Sequence, residues 1–254
     1  MTTRVANRQL LTSALNLFYG RSRSAAKYGG EPGIPLSPVT LAELGAPATA
    51  VADALIKAAT STELPDTATK TYTFPSAAAS PQDGSLGATG ILDVARNLVF
   101  VATHATAVVA MSILATGKDE NGQDMTELFT ITAGTTSKTA TGKKAFKQVT
   151  TIAITAAADA TANSLDGGTG VVLGLPFKLT DKNRALYIMD GVLQTTLGTV
   201  TVADDTTPAN NTGDVRGTWS PNSAANGTRT YALWMVNVPA DRIASGSAYG
   251  KTQA

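Results

Sequence analysis

Acidic and amide side chains crowd one short stretch of the sequence, TGKDENGQDMTELFTI at 116–131. Oxygen groups at alternate positions of a loop are the ligands that Ca²⁺ prefers. An EF-hand loop requires Gly at its sixth position, whereas Gly122 is the fourth residue when Asp119 is counted as the first. Asp119, Asn121 and Asp124 could form only a weak, irregular Ca²⁺ site, so we expect no resident metal.

The same stretch carries a strong signal for a β-hairpin. Asn121 and Gly122 both accept positive φ angles, and this dipeptide lies between the strand-like segments ILATGKD and MTELFTIT. We therefore expect the acidic side chains at a solvated hairpin tip.

Few other residues could perform chemistry. The chain has no Cys and a single His, His104, which excludes thiol nucleophiles, disulfides, Cys-built zinc sites and His-based metal sites. His104 lies between two strand-like runs, and we expect a hydrogen-bonded loop residue there. A Ser–His–Asp triad would need a nucleophile elbow, and DGSLG at 83–87 lacks its first Gly. The 19 acids are scattered, and no pair of them stands out as a glycosidase couple.

The Gly- and Lys-rich segment 134–146 does not match a phosphate-binding loop. Seven residues separate Gly134 from Gly142, where a P-loop has four, so we expect no nucleotide and no cofactor. We expect a hairpin turn instead, with three lysines on an edge that faces solvent or a partner: Lys143, Lys144 and Lys147. Trp219 and Trp234 lie in strand-like segments and are expected to anchor a core or an interface.

Charge is unevenly distributed along the chain. The net charge of the 254 residues is +1, but the first 30 carry five basic residues and no acid, which leaves −4 for the remainder (+1 minus +5). This basic segment lacks the interleaved aromatic residues of a nucleic-acid-binding module, so nucleic acid is not the expected partner. The longest apolar span, 98–117, contains His104 and several Thr, which favours two strands over a membrane helix.

The elements that position these residues divide the chain in two. Residues 1–64 are expected to form an extended N-terminal arm with short helices. Apolar residues at helical spacing predict one helix over 7–19, a Gly- and Pro-rich connector follows, and 40–60 could hold one or two further helical turns. Residues 65–254 are expected to form a mainly β domain, an antiparallel β-sandwich or jelly-roll-like fold that could divide into two sub-sheets. Candidate strands are 69–74, 97–103, 106–116, 125–132, 147–156, 170–179, 185–190, 192–203, 213–219 and 229–238.

Four segments between about residues 60 and 240 resemble a family of tailed-bacteriophage virion proteins. They are TELPDTATKTYTFP, the long run from ATGKDENGQD to KKAFKQVTTIAIT, GVVLGLPFKL and GTWSPNSAANGTRTYALWMVNVPA. In that family a hairpin G-x-D-x-x-G-x-x-x-x-E precedes a K-x-F-K-x-V-T-x-I strand, a G-D/V-x-L-G-L-P strand and a G-T-x-x-P…D/N-G-T-x-x-Y ending. The first 60 residues do not align with it.

The resemblance implies a non-enzymatic capsid decoration or cement protein on the outer surface of the phage head. Its expected partners are the major capsid protein and further copies of itself, with a trimer expected by analogy, and no membrane. A tail, fibre or head–tail component, including a receptor-binding protein, is the alternative, and a carbohydrate-binding or hydrolytic β-sandwich is a third. The expected capsid contacts lie in the arm: Arg4, Arg8, Leu11, Leu15, Phe18, Tyr19, Arg21, Arg23 and Tyr28.

Overall fold

The structure is a computed structural model that describes residues 39–59, 63–76, 80–156, 158–236 and 253. These residues form fourteen strands in two sheets, one of ten strands (the large sheet) and one of four (the small sheet). Every strand pairing is antiparallel. The mainly β, antiparallel sandwich expected from the sequence is confirmed.

The strands follow one another along the chain, and a short helical turn, Lys182–Arg184, lies between β9 and β10. Their bounds are β1 Val39–Gly45, β2 Ile56–Ala59, β3 Thr69–Thr73, β4 Ile91–Thr103, β5 Met111–Lys118, β6 Asp124–Ile131, β7 Ser137–Thr141, β8 Phe146–Ala156, β9 Ser164–Gly174, β10 Ala185–Met189, β11 Val192–Leu193, β12 Thr199–Thr201, β13 Thr218–Ser220 and β14 Tyr231–Val236.

The long strand β4 joins the parts of the large sheet. The order of this sheet is β12-β13-β9-β4-β8-β5-β6, while β2 pairs with β9, β3 with β8 and β7 with β4. The first half of β4 pairs with β8, and its second half pairs with β7 and β9 on its two edges. One strand thus ties the β5–β6 hairpin to the β9 side of the sheet.

The core of the large sheet follows from the period-2 pattern of its strands. Alternate residues of β5 and β6 are buried, which places Ile113 and Phe129 among the core side chains. Phe129 meets Phe100 of β4 edge to face, with ring centroids 4.8 Å apart. The contact between these aromatic rings packs the β5–β6 hairpin against β4.

The small sheet has the order β1-β14-β10-β11 and a core of its own. Its inner face packs on Trp219 of β13, whose ring lies 5.1 Å from that of Tyr187 and 5.7 Å from that of Tyr231. The Trp219 Nε1 group donates a hydrogen bond to the Leu197 carbonyl, so the buried indole is satisfied. Trp219 is a core anchor, as its strand-like surroundings predicted.

Two expectations for the region before residue 65 are wrong. Within the predicted 40–60 segment, the described residues 40–59 contain no helical turn; they contribute to β1, which pairs with β14, and to β2, which pairs with β9. The β domain also begins before residue 65, because β1 and β2 lie ahead of that boundary and Leu55 and Ile56 are fully buried in the main core. The conformations of β1 and β2 depend on pairing with strands more than a hundred residues away, and the local sequence pattern does not reveal these partners.

Two further strand assignments differ from the sequence prediction. The segment 192–203 is not one strand: β11 belongs to the small sheet and β12 to the large one. The segment 134–146 is not a simple hairpin turn, because β7 lies within it and pairs with β4, not with β8. Residues 142–145 therefore form a connection between strands that are not neighbours.

Candidate interaction surface

The nine arm residues predicted to contact a capsid lie outside the described residues. They are Arg4, Arg8, Leu11, Leu15, Phe18, Tyr19, Arg21, Arg23 and Tyr28. The described chain begins at Val39, the first residue of β1, and β1 is an edge strand of the small sheet. Residues 1–38 are therefore joined directly to one edge of this sheet.

The outer face of the small sheet is apolar and exposed, and we call it the apolar face. Strand register places Leu41, Trp234 and Leu186 in one row across β1, β14 and β10. The neighbouring row contains Glu43, Ala232, Ile188 and Leu193. Leu41 is 46% exposed, Trp234 40% and Leu193 55%. Large apolar side chains gathered on one face are typical of a contact surface.

The inner residues of the same strands explain why this face points outward. Ala42, Leu233 and Tyr187 form the adjacent row and are buried against the Trp219 core. Because successive residues of a strand point to opposite faces, Leu41, Trp234 and Leu186 must lie on the other side. The sequence predicted Trp234 as a core or interface anchor, and its position on the apolar face fits the second of these two roles.

A second unusual feature is a set of buried charges beneath the β5–β6 hairpin, which we call the charge cluster. It consists of Asp119, Glu127, Lys144, Asp214 and Arg216, each at most 3% exposed. Charged side chains are rarely buried unless they are paired, so each member requires a partner.

Asp119 and Arg216 form the central ion pair of the charge cluster. The Arg216 guanidinium donates to Asp119 Oδ2 over 2.6 Å and to the Leu175 carbonyl over 2.9 Å. The other Asp119 oxygen accepts the backbone N–H groups of Asn121 and Gln123, which closes the hairpin turn. One carboxylate thus fixes the turn and connects it to a segment 97 residues away.

Glu127 and Lys144 occupy the other side of the charge cluster. The Glu127 carboxylate accepts the backbone N–H groups of Lys143 and Lys144, and Lys144 Nζ donates to the Thr126 carbonyl over 2.9 Å. Burial raises the pKa of Glu127 to about 7, with a further contribution from the charge of Asp214. Burial lowers the pKa of Lys144, and the nearby carboxylates oppose that shift.

Asp214 joins the charge cluster to the end of the chain. Its side chain accepts hydrogen bonds from the backbone N–H groups of Ala145 and Arg216 and from the side-chain amide of Gln253. These bonds hold the 142–145 connection, the loop before β13 and the C-terminal Gln253 together. Together with the Asp119–Arg216 pair, these bonds connect segments that are distant in sequence, so the charge cluster acts as an internal brace.

The charge cluster corrects two sequence predictions. Asp119 is not at a solvated tip, although the hairpin itself is confirmed and Gly122 has φ of 75°. Lys144 is fully buried and not on an exposed edge. In both cases the partner lies in a segment that is distant in sequence. For Glu127 the sequence does carry a signal of burial, because this residue falls on the apolar side of an alternating strand.

A shallow depression, the threonine-rich cleft, lies beside the charge cluster. It has a volume of about 580 Å³, and its lining residues include Thr199, Thr201, Thr218 and Ser220, together with Lys143 and Asp204. Lys143 Nζ donates to the Asn211 carbonyl, and Asp204 accepts the Gly213 N–H, so both charges already have protein partners. Trp219 is 1% exposed and offers this cleft no aromatic platform.

The remaining candidate groups have structural environments. His104 lies in a loop where its Nδ1 accepts hydrogen bonds from the backbone N–H groups of Thr106 and Ala107, as predicted. Asp124 pairs with Lys118 at the surface. Across the described ranges, no three His, Asp or Glu side chains are grouped so that they could hold a metal ion.

Comparisons with known proteins returned nothing: no family model, no curated protein and no solved structure matches this chain. Within the described part of the chain, none of the helical segments has the length and apolar character that a membrane crossing requires.

Proposed function

We propose that this chain is a non-enzymatic structural protein of a tailed-phage virion, a capsid decoration or cement protein that binds the outside of the major capsid shell and stabilises it. The observation that carries the proposal is the junction at Val39, where residues 1–38 meet the edge of the small sheet beside the apolar face. The basic N-terminal segment thus precedes, along the chain, the edge strand that borders the apolar face.

Physical considerations support attachment through these two features together. The first 30 residues carry five positive charges and no acid, which suits an acidic partner surface. The apolar face supplies Leu41, Trp234 and Leu193, and large apolar or aromatic side chains are the usual energetic centre of an interface. A shell protein needs many identical weak contacts, and each copy of this chain would supply the same N-terminal segment and the same apolar face.

The braced β domain fits a mechanical role. The strand β4 ties the parts of the large sheet together, and the buried Asp119–Arg216 pair ties the β5–β6 hairpin to the loop before β13. Loss of either partner would leave an unpaired buried charge. Thr, Ala and Gly dominate the sequence, and only 15% of the residues are charged. Such a surface allows close packing between copies, and we expect a homo-oligomer, with a trimer as the specific proposal.

The proposal is tested by removing the N-terminal segment. Deletion of residues 1–30 should abolish binding to purified shells in a sedimentation assay, while far-UV circular dichroism shows the same β structure as the full chain. Replacing Arg4, Arg8, Arg21 and Arg23 by Gln should weaken binding and reduce its dependence on salt. A control replaces two exposed lysines of the β domain, Lys57→Gln and Lys182→Gln, and should bind normally. Full occupancy by the deletion variant would contradict the proposal.

A further inference from the structure

Two Asn–Gly dipeptides occur in the sequence, Asn121–Gly122 and Asn226–Gly227, and both lie in exposed connections between strands. Asn is among the thermolabile residue types, and a following glycine, which has no Cβ, leaves its backbone nitrogen unhindered. We propose that Asn121 is a site of spontaneous deamidation in the folded protein and that Asn226 is protected from the same reaction. The proposal goes beyond the virion function and does not depend on it.

The reaction needs only the chain itself and water. The Gly122 backbone nitrogen attacks Cγ of Asn121, and the N–H proton and the side-chain NH₂ group leave together as ammonia, which produces a cyclic succinimide. Water then adds to either imide carbonyl and opens the ring. One opening gives aspartate, and the other gives isoaspartate, in which the main chain runs through the former side-chain carbon.

Crowding and exposure do not distinguish the two sites. A Cβ added at Gly122 or at Gly227 would meet no atom within 4 Å. Asn121 and Asn226 are both exposed. The difference between the sites therefore lies in the hydrogen bonds that hold each Asn side chain and each glycine nitrogen.

The Asn226 side chain is held by three hydrogen bonds. Its Oδ1 accepts the backbone N–H groups of Thr228 and Arg229 and the Thr228 hydroxyl, over 2.8 to 3.1 Å. The nitrogen of Gly227 donates to the Pro47 carbonyl, which belongs to a segment far away in sequence. Attack on Asn226 thus requires the side chain to leave its three partners and the glycine to separate from a second part of the chain.

The Asn121 side chain has no comparable restraint. Its backbone N–H donates to Asp119 Oδ1, but no described residue hydrogen-bonds to its carboxamide. The nitrogen of Gly122 donates to the Asp119 carbonyl over 3.0 Å, a bond within the same turn that opens with the hairpin tip alone. The Asn121 carboxamide can therefore reach the Gly122 nitrogen without disturbing the rest of the sheet.

Conversion of Asn121 would act on the central ion pair of the charge cluster. Oδ1 of Asp119 accepts the N–H groups of Asn121 and Gln123, and Oδ2 is bound by Arg216. Isoaspartate lengthens the main chain between those two N–H groups, so one carboxylate oxygen cannot keep both bonds at their present geometry. The turn that holds the buried carboxylate in place would therefore weaken as the protein molecule ages.

Peptide mass spectrometry of the full chain measures both sites in one sample. The protein is incubated in warm, mildly alkaline buffer, and the fraction of each peptide that has gained the mass of an amide-to-acid exchange is followed over time. Asn121 should deamidate faster than Asn226 by about fivefold or more, which is the factor that one typical hydrogen bond represents. Equal rates, or a faster reaction at Asn226, would overturn the proposal.

Two controls separate the folded structure from the local sequence. In a denaturing concentration of guanidinium chloride the hydrogen bonds at Asn226 are lost, and the two rates should agree within about twofold. In buffer, Thr228→Val removes one donor to Asn226 and should raise the rate there while the rate at Asn121 stays the same. A rate difference in denaturant as large as that in buffer would assign the effect to flanking residues and contradict protection by the fold.

Thermal unfolding tests the link to the charge cluster. The aged chain should have a Tm roughly 2 to 4 °C below that of the fresh protein, the shift that corresponds to the loss of one hydrogen bond in a chain of this size. Asn121→Ser cannot form the succinimide and should have the same Tm before and after ageing. An unchanged Tm in the parent chain after Asn121 has been converted would contradict the link to the Asp119–Arg216 pair.

Discussion

Two aspartates of one hairpin, Asp119 and Asp124, are predicted to differ sharply in their contribution to stability. Both flank the Asn121–Gly122 turn, and each pairs with a basic residue. Asp119 and Arg216 have side chains that are 0% and 1% exposed, whereas those of Asp124 and Lys118 are 83% and 41% exposed. The substitutions Asp119→Asn and Asp124→Asn therefore make a matched pair of variants.

The loss of stability expected for Asp119→Asn follows from the hydrogen bonds that the variant keeps and the ion pair that it loses. The Asn oxygen can still accept the N–H groups of Asn121 and Gln123, so the turn is retained. Its amide, however, places a donor against the Arg216 guanidinium, and the buried cation loses its nearest anion. Removing one partner of a buried pair costs about 3 to 5 kcal/mol, and we expect about 3 because Arg216 keeps its bond to Leu175. Asp124→Asn should cost less than about 1 kcal/mol.

Urea unfolding followed by tryptophan fluorescence measures both variants, and thermal unfolding provides a second readout. A loss of about 3 kcal/mol corresponds to a fall in Tm of roughly 6 to 12 °C for a chain of this size. Far-UV circular dichroism should show the same β structure in both variants at 20 °C. If Asp119→Asn lies within about 1 kcal/mol of Asp124→Asn, the buried ion pair does not have the role assigned to it.

Three other outcomes are expected. The pKa of Glu127 is raised from 4.5 to about 7, so between these pH values the folded protein holds a proton that the unfolded chain has lost. The free energy of unfolding should therefore fall by up to about 3 kcal/mol as pH rises from 4.5 to about 7, and it should stay constant above pH 7. Glu127→Gln should remove this slope in urea titrations at pH 5 and pH 8, and a slope equal to that of the parent would refute the assignment. Gly168→Ala would place a Cβ 2.1 Å from the Val51 carbonyl oxygen and should destabilise the fold by about 1 to 3 kcal/mol, which a lower Tm would detect. An unchanged Tm would show that the 51–54 segment can move away from the added methyl group. Trp219→Phe leaves the Leu197 carbonyl without its indole donor and should lower the free energy of unfolding by about 1 to 3 kcal/mol in the same assay. Trp234→Phe changes a side chain on the exposed face and should lower it by less than about 1 kcal/mol.

Local chemistry explains which parts of the fold could be predicted from the sequence. The β5–β6 hairpin is encoded by Asn121–Gly122 and by alternating apolar residues on each side, all within one short stretch. The buried role of Asp119 depends on Arg216, a residue 97 positions away, and nothing near Asp119 distinguishes it from Asp124. A pairing between residues so far apart in sequence cannot be predicted from the residues next to either of them.

The errors at β1, β2 and β7 have the same origin. The segment containing β1 has apolar spacing compatible with a helix, and its pairing with β14 near the other end of the chain decides the outcome. The strand β7 is the polar sequence SKTAT with Ala140 as its buried residue, so its burial pattern is too weak to predict a strand. The apolar face was likewise not predicted, because it is assembled from four strands that are far apart in sequence.

Copy number in purified particles tests the central claim most directly. This chain is quantified against the most abundant shell protein of isolated virions by gel densitometry. The proposed function predicts a ratio near one to one, or a simple fraction of it repeated over the whole shell. A handful of copies per particle would place the chain in the tail or at a vertex, and absence from the particles would contradict a virion function altogether.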